Sequence, residues 1–279
     1  MTTVTFRRAF LLAWLIPTLV AGSAAPSASA CGARSDCKIG DRLYRIRMPA
    51  GHDGKTPVGA LVFSHGYRGS VRGAVESEGL AAMAKRWGVA IIATKSKGDG
   101  WALPGTPSNL AETGAAELAY FDRVLDDAAK RFPIDLKRVV ATGFSAGGMM
   151  VWTLACHRSH RFAGFIPLAG TFWQPEPKTC TSPPASVVHI HGTKDRVVPL
   201  KGRPIGQAHQ GDVATVLGMY KSYGGFEPKG RQKIRNLDCQ LSSNAAGHLL
   251  NYCAFPGGHT LSIRHIAIAW DMLKAAGKI

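Results

Sequence analysis

The stretch Gly143-Phe144-Ser145-Ala146-Gly147 constrains this chain more than any other. Upstream, Lys137-Arg138-Val139-Val140-Ala141-Thr142 reads as a short buried strand. Downstream, Gly148-Met149-Met150-Val151-Trp152-Thr153-Leu154-Ala155 reads as an apolar helix. A serine between two glycines at a strand-to-helix turn is the pattern of a nucleophile elbow. The turn strains the serine backbone, and small flanking residues let neighbouring segments close on it. The hydroxyl is lifted above the sheet edge with a helix N-terminus behind it, where peptide dipoles favour a developing negative charge.

The rest of the chain is patterned to suit such a turn. Asp41 to Met48 reads as an edge strand, and Val58 to Ser64 and Val89 to Thr94 as apolar strands covered on both faces. Glu76 to Trp87 has helical spacing. A Gly- and Pro-rich loop, Lys95 to Ser108, leads to an amphipathic helix from about Leu110 to Arg131. After the elbow come strands at Phe162 to Leu168 and Ser186 to His191, and a helix at Val213 to Tyr223. Strands at Lys233 to Leu241 and Leu249 to Phe255 follow, with a closing helix at Leu261 to Ala276. Strands alternating with helices predict an α/β fold, with a mostly parallel central sheet flanked by helices on both faces and chemistry at the carboxyl ends of the strands. No internal repeat or low-complexity linker follows residue 30, so residues 31–279 are expected to form a single catalytic domain.

Residues 1–30 are read as a signal peptide. Arg7-Arg8 precedes an apolar run from Ala9 to Ala21, and Ala28-Ser29-Ala30 forms a small-residue cleavage site. The run is too short for a transmembrane span. Arg7-Arg8 serves a twin-arginine or a general export signal equally. Cleavage leaves Cys31 first, which opens the alternative of a lipid anchor there. Six cysteines in an exported chain, secreted to the periplasm or beyond, predict disulfides. Proximity in sequence suggests the pairs Cys31–Cys37, Cys156–Cys180 and Cys239–Cys253. Removing the signal lowers the formal charge of +16 by its two arginines. The basic residues are dispersed: Lys229, Arg231, Lys233 and Arg235 alternate as on the solvent face of one strand. Without interleaved aromatics they suit solubility or adsorption to an acidic polymer or cell wall, rather than nucleic acid.

A serine nucleophile needs a base, and the base an orienting acid, in the chain order Ser, Asp or Glu, His. Asp195 lies in the loop after the strand Val187-Val188-His189-Ile190-His191, whereas Asp212 reads as a helix N-cap. His259, in Gly257-Gly258-His259-Thr260, sits between the last strand and the last helix, where the base belongs. Catalytic roles are therefore assigned to Ser145, Asp195 and His259. The oxyanion hole is assigned to the main-chain N–H groups of Ala146 and of Tyr67, in the loop after Ser64. His65 reads as a structural residue bonding that loop. Trp101 and Trp173 are candidate substrate-binding residues, able to stack on an aromatic acyl group or shield a short aliphatic one.

Ser64-His65-Gly66-Tyr67, the elbow, His191-Gly192-Thr193-Lys194-Asp195-Arg196-Val197-Val198-Pro199 and Gly257-Gly258-His259-Thr260 resemble the secreted α/β-hydrolases known as polyhydroxybutyrate depolymerases and feruloyl esterases. The resemblance runs from about Gly40 to the C-terminus. It implies an α/β-hydrolase fold and hydrolysis of carboxylic esters through an acyl-enzyme, without metal or organic cofactor. The chain departs from many depolymerase-like members in carrying Tyr67 where they have cysteine. It also shows no separate substrate-binding domain after the catalytic one. The substrate expected is a small or polymer-borne ester, a short-chain hydroxyalkanoate or a feruloyl-type ester. Two other classes stand beside this one: a secreted serine peptidase of related fold, and a catalytically idle cell-wall-associated binding protein.

Overall fold

Aliphatic runs become strands, and serine- or aspartate-led segments become helices. The computed structural model describes residues 1–3 and 31–279, and the segment read as an export signal lies outside the described residues. From Cys31 onward, β1 (Cys37–Ile39) and β2 (Arg42–Arg47) form a hairpin. Then come β3 (Val58–Ser64), α1 (Val71–Val75), α2 (Glu78–Trp87), β4 (Val89–Thr94), α3 (Ala115–Arg131) and β5 (Ile134–Phe144). α4 (Ala146–His157), β6 (Gly164–Leu168) and β7 (Val187–Gly192) follow. A small hairpin, β8 (Pro204–Ile205) and β9 (Ala208–His209), precedes α5 (Val213–Gly224), β10 (Glu227–Ile234), β11 (Leu237–Ser243), β12 (Leu250–Phe255) and α6 (Ile263–Ala275).

The large sheet runs β1-β2-β4-β3-β5-β6-β7-β12-β11-β10. Its centre, β4 to β12 in that order, is parallel, and antiparallel pairs extend it at both ends. Side chains alternate between two cores, as the pleat requires. Ala60, Val62, Val139 and Ala141 join residues of α3, α4 and α5 on one face. Leu61, Phe63 and Val140 join residues of α1, α2 and α6 on the other. This is the mostly parallel sheet with helices on both faces that the pattern predicts. In-register pairing of Ser64 with Gly143 and of Gly192 with Phe255 brings the following loops to one edge.

Caps explain where helices start. Ser70, Ser77 and Asp212 each accept a main-chain N–H of the first turn. The helix expected from Leu110 begins only at Ala115, because Gly114 turns the chain with φ 77° and 109–113 is spent in turns. Three further corrections concern the outer strands. The segment read as an edge strand, Asp41 to Met48, forms β2 (Arg42–Arg47), which is paired on both sides, and β1 is the true edge. The single strand expected from Lys233 to Leu241 is a hairpin, turning at Arg235 (φ 55°). β10 is exposed along nearly all its length, so the alternation of Lys229, Arg231 and Lys233 marks no solvent face, and Arg235 lies in the turn.

Disulfides join Cys31–Cys37, Cys156–Cys180 and Cys239–Cys253. The last spans two residues directly opposite in β11 and β12. The first occupies the Cys31 sulfur that a lipid anchor would need. Among the described residues, no helix is long and apolar enough to cross a membrane.

Candidate active site

β3, β5, β6, β7 and β12 end together, and the residues singled out in the sequence follow them. Ser145 directly follows β5 with φ 59° and ψ −123°, a left-handed backbone for which a non-glycine residue is strained. Its N–H donates to Leu168 O (2.9 Å), which holds the turn against the end of β6. Close approach explains the elbow glycine after it: a Cβ at Gly147 would lie 1.9 Å from Ser64 O. The Ser145 hydroxyl caps no amide of α4, a 12-residue helix that starts at the next residue.

The Asp195 and His259 loops are fitted to each other. Thr193 N–H donates to Phe255 O (2.8 Å) and Lys194 N–H to Gly257 O (2.9 Å). A Cβ at Gly192 would lie 2.4 Å from both Gly257 O and Gly258 O, so only glycine lets the loops meet. His259 Nδ1–H donates to Asp195 Oδ2 at 2.7 Å. The Val197 and Val198 amides donate to Asp195 Oδ1 at 2.8 and 2.9 Å. Burial alone raises the Asp195 carboxyl pKa. Hydrogen bonds from His191, His259 and the Val198 amide outweigh it and hold the group well below the ordinary carboxylate range. His259 is partly covered by the ring of Phe144, 4.5 Å away centre to centre, the residue immediately before Ser145. Among the described residues, no hydrogen bond joins Ser145 to His259 or engages His259 Nε2. The structure thus joins Asp195 to His259 directly, and sets His259 beside the elbow through Phe144.

The loop after β3 lies over the elbow. A methyl at Gly66 would stand 3.3 Å from Phe144 O and 3.4 Å from Ser145 Cβ. Arg68 takes φ 56°, and its N–H donates to Asp99 O (2.6 Å). The Tyr67 ring is 62% exposed. Neither the Tyr67 nor the Ala146 N–H donates within the loops and caps of the described residues.

The tryptophans part company with expectation. Trp101 is buried: it is 3% exposed, lies against Phe121 and His65, and donates from Nε1 to His65 O (2.9 Å). Its place is against His65, in the loop after β3. Trp173 lines a cavity of about 200 Å³ with Leu103, Pro104, Thr153, His157 and Phe172, in whose walls Ser145, Asp195 and His259 have no part. Asp212 is an N-cap, His265 is buried in α6, and His65 bonds its own loop through Gly66 O (2.7 Å). Sequence reasoning missed the polar support of these loops. Glu117 accepts from Ala102 N–H (3.1 Å) and pairs with buried Arg42 (2.9 Å), which lies over the Tyr120 ring. A charged residue on an otherwise apolar helix face was the available signal.

The chain is similar to known esterases. The family model described as Phospholipase/Carboxylesterase matches residues 111–211, which take in α3, the elbow, the Asp195 loop and the β8–β9 hairpin. Feruloyl esterase C of Emericella nidulans is 27% identical over 271 residues, covering 89% of this chain and 91% of that protein. NocK of Nocardia uniformis subsp. tsuyamanensis is 32% identical over 165 residues, 58% of this chain and only 47% of that protein. An acetyl xylan esterase structure from Aspergillus awamori superposes with a TM-score of 0.61 at 14% identity, over 88% of this chain and 99% of that one. The chain has the α/β-hydrolase fold, and its partial family match and its relatives are those of a carboxylic ester hydrolase.

Proposed function

We propose that this protein is a secreted serine esterase working through Ser145, His259 and Asp195. The observation that carries the reading is the 2.7 Å bond from His259 Nδ1 to Asp195 Oδ2, set beside a serine with φ 59°. Holding Nδ1–H on the carboxylate leaves Nε2 as the base. His259 takes the Ser145 proton as Oγ attacks the ester carbonyl, and Asp195 stabilises the imidazolium. The Ala146 and Tyr67 amides receive the oxyanion. His259 then protonates the leaving alcohol, and the acyl-enzyme is opened by water that His259 activates. Three disulfides support export, for which residues 1–30 would supply the signal.

The proposed substrate is a feruloyl-type ester, on the strength of a feruloyl esterase relative aligned along 89% of the chain. A short hydroxyalkanoate ester is the second reading, supported by the depolymerase-like motifs. A panel of methyl ferulate, p-nitrophenyl acetate, butyrate and octanoate, and a soluble 3-hydroxybutyrate oligomer separates them. Preferential turnover of ferulate is expected, with Ser145→Ala losing roughly 10⁵- to 10⁶-fold in kcat. Preference for the oligomer moves the substrate to hydroxyalkanoates. No turnover of any ester, with peptides cleaved instead, overturns the esterase reading.

A further inference from the structure

Behind Asp195 runs a line of side chains that the triad does not use. Trp152 (α4), His189 and His191 (both β7) are 0% exposed. Trp152 Nε1 lies 3.1 Å from His189 Nδ1, and His189 Nε2 lies 3.0 Å from His191 Nδ1. His191 Nε2 lies 2.8 Å from Val198 O and 3.4 Å from Asp195 Oδ2.

The direction of every bond follows from its ends. An indole N–H can only donate, so His189 Nδ1 accepts. Burial first, and His191 beside it, hold the His189 pKa well below the imidazole range, so the ring carries one proton, on Nε2. That proton donates to His191 Nδ1, which therefore accepts. A proton on His191 Nδ1 would meet the His189 N–H head on. His191 thus keeps its proton on Nε2, where only acceptors surround it.

This end of the line grips the acid twice. His191 Nε2–H holds Val198 O, and the Val198 amide of the same short segment holds Asp195 Oδ1. The same N–H also lies over Oδ2, the oxygen that His259 uses. An imidazole locked in one tautomer neither rotates nor takes the proton of the neighbouring carboxylate's partner. We propose that Trp152, His189 and His191 form a buried tautomer lock, in which His191 is a positioning residue that fixes Asp195 for His259. This rests on the reading of Asp195 as the triad acid. The relay acts through the carboxylate and touches no substrate.

Two measurements test it, one of which needs no variant. The ¹⁵N-histidine spectrum of the wild-type protein should show His189 and His191 as Nε2–H rings with bare Nδ1. A His191 ring protonated at Nδ1 overturns the proposal. Kinetically, His191→Phe should lose about 10²-fold in kcat with KM unchanged, the cost of a slightly misplaced catalytic group. His191→Gln, whose amide can still donate toward Val198 O and Asp195, should recover most of that loss. A folded His191→Phe enzyme with wild-type kcat, or a Gln variant no better than Phe, overturns the relay. If His191→Phe does not fold, the spectrum and the Gln variant decide. Ser145→Ala keeps the two readings apart. Full turnover in that variant sinks the triad and the relay's role with it. An inactive Ser145→Ala beside an unimpaired His191→Phe sinks the relay alone.

Discussion

The loops carrying Tyr67 and Asp195 lie on opposite sides of the elbow strand, and each is braced by a buried indole and imidazole, but differently. On the Tyr67 side the partners are main-chain groups. Ser96 N–H donates to His65 Nε2 (3.2 Å), His65 Nδ1–H to Gly66 O (2.7 Å), Trp101 Nε1–H to His65 O (2.9 Å) and Arg68 N–H to Asp99 O (2.6 Å). On the Asp195 side the bracing passes through three side chains in series before it reaches the carboxylate. The functions proposed for the two loops differ to match. An oxyanion hole is built of main-chain amides, so fixing the backbone fixes the function. A catalytic carboxylate hangs on rotatable bonds and is fixed only by what grips its oxygens.

Four variants of decreasing expected effect test these roles. Asp195→Asn should cost about 10⁴-fold in kcat, because an amide no longer selects the Nδ1–H form of His259. The same variant has a pH signature. The wild-type carboxyl titrates below its ordinary range, so its contribution to stability is full above pH about 4 and is lost as pH falls further. Melting temperatures between about pH 4 and 2 should therefore fall more steeply for wild type than for Asp195→Asn. Next comes His191→Phe, with the loss given above. Trp101→Phe removes one of several bonds to the Tyr67 loop and should lower kcat about tenfold, less than losing an oxyanion donor outright. An acyl-chain panel should keep its profile in this variant. A changed profile would return Trp101 to the substrate pocket. Smallest of all, Lys229→Gln with Lys233→Gln, on an exposed strand remote from both loops in the sheet, should leave kcat unchanged and stability within about 0.5 kcal/mol. Retention on an acidic polysaccharide column should drop. Unchanged retention would show that the hairpin takes no part in adsorption.

What could be read in advance follows the same division between main chain and side chain. Val58–Ser64 and Val89–Thr94 are continuous apolar runs because they are covered on both faces, so their bounds are visible in the sequence. The elbow, the Asp195 loop and the His259 loop announce themselves because close approach leaves room only for glycine at positions such as Gly147 and Gly192. The β10–β11 hairpin was hidden. Glu227-Pro228-Lys229-Gly230-Arg231 carries no apolar alternation, since its strand has no buried face to pattern. The relay was hidden for another reason. His189 and His191 share one face of β7, as spacing of two requires, but nothing local reveals that Trp152, 37 residues earlier, is the donor that sets their tautomers. Trp101 misled because a Gly- and Pro-rich loop suggests exposure, whereas its indole is drawn inward to His65 O.

Every step proposed for the site depends on Ser145 as the nucleophile. The direct test is mass spectrometry of the protein after reaction with a fluorophosphonate, beside the Ser145→Ala variant. A single adduct on the Ser145 peptide, absent from the variant and formed in step with loss of ester hydrolysis, is the predicted result. An adduct on another residue, or unlabelled Ser145 in a protein that still hydrolyses esters, would contradict it.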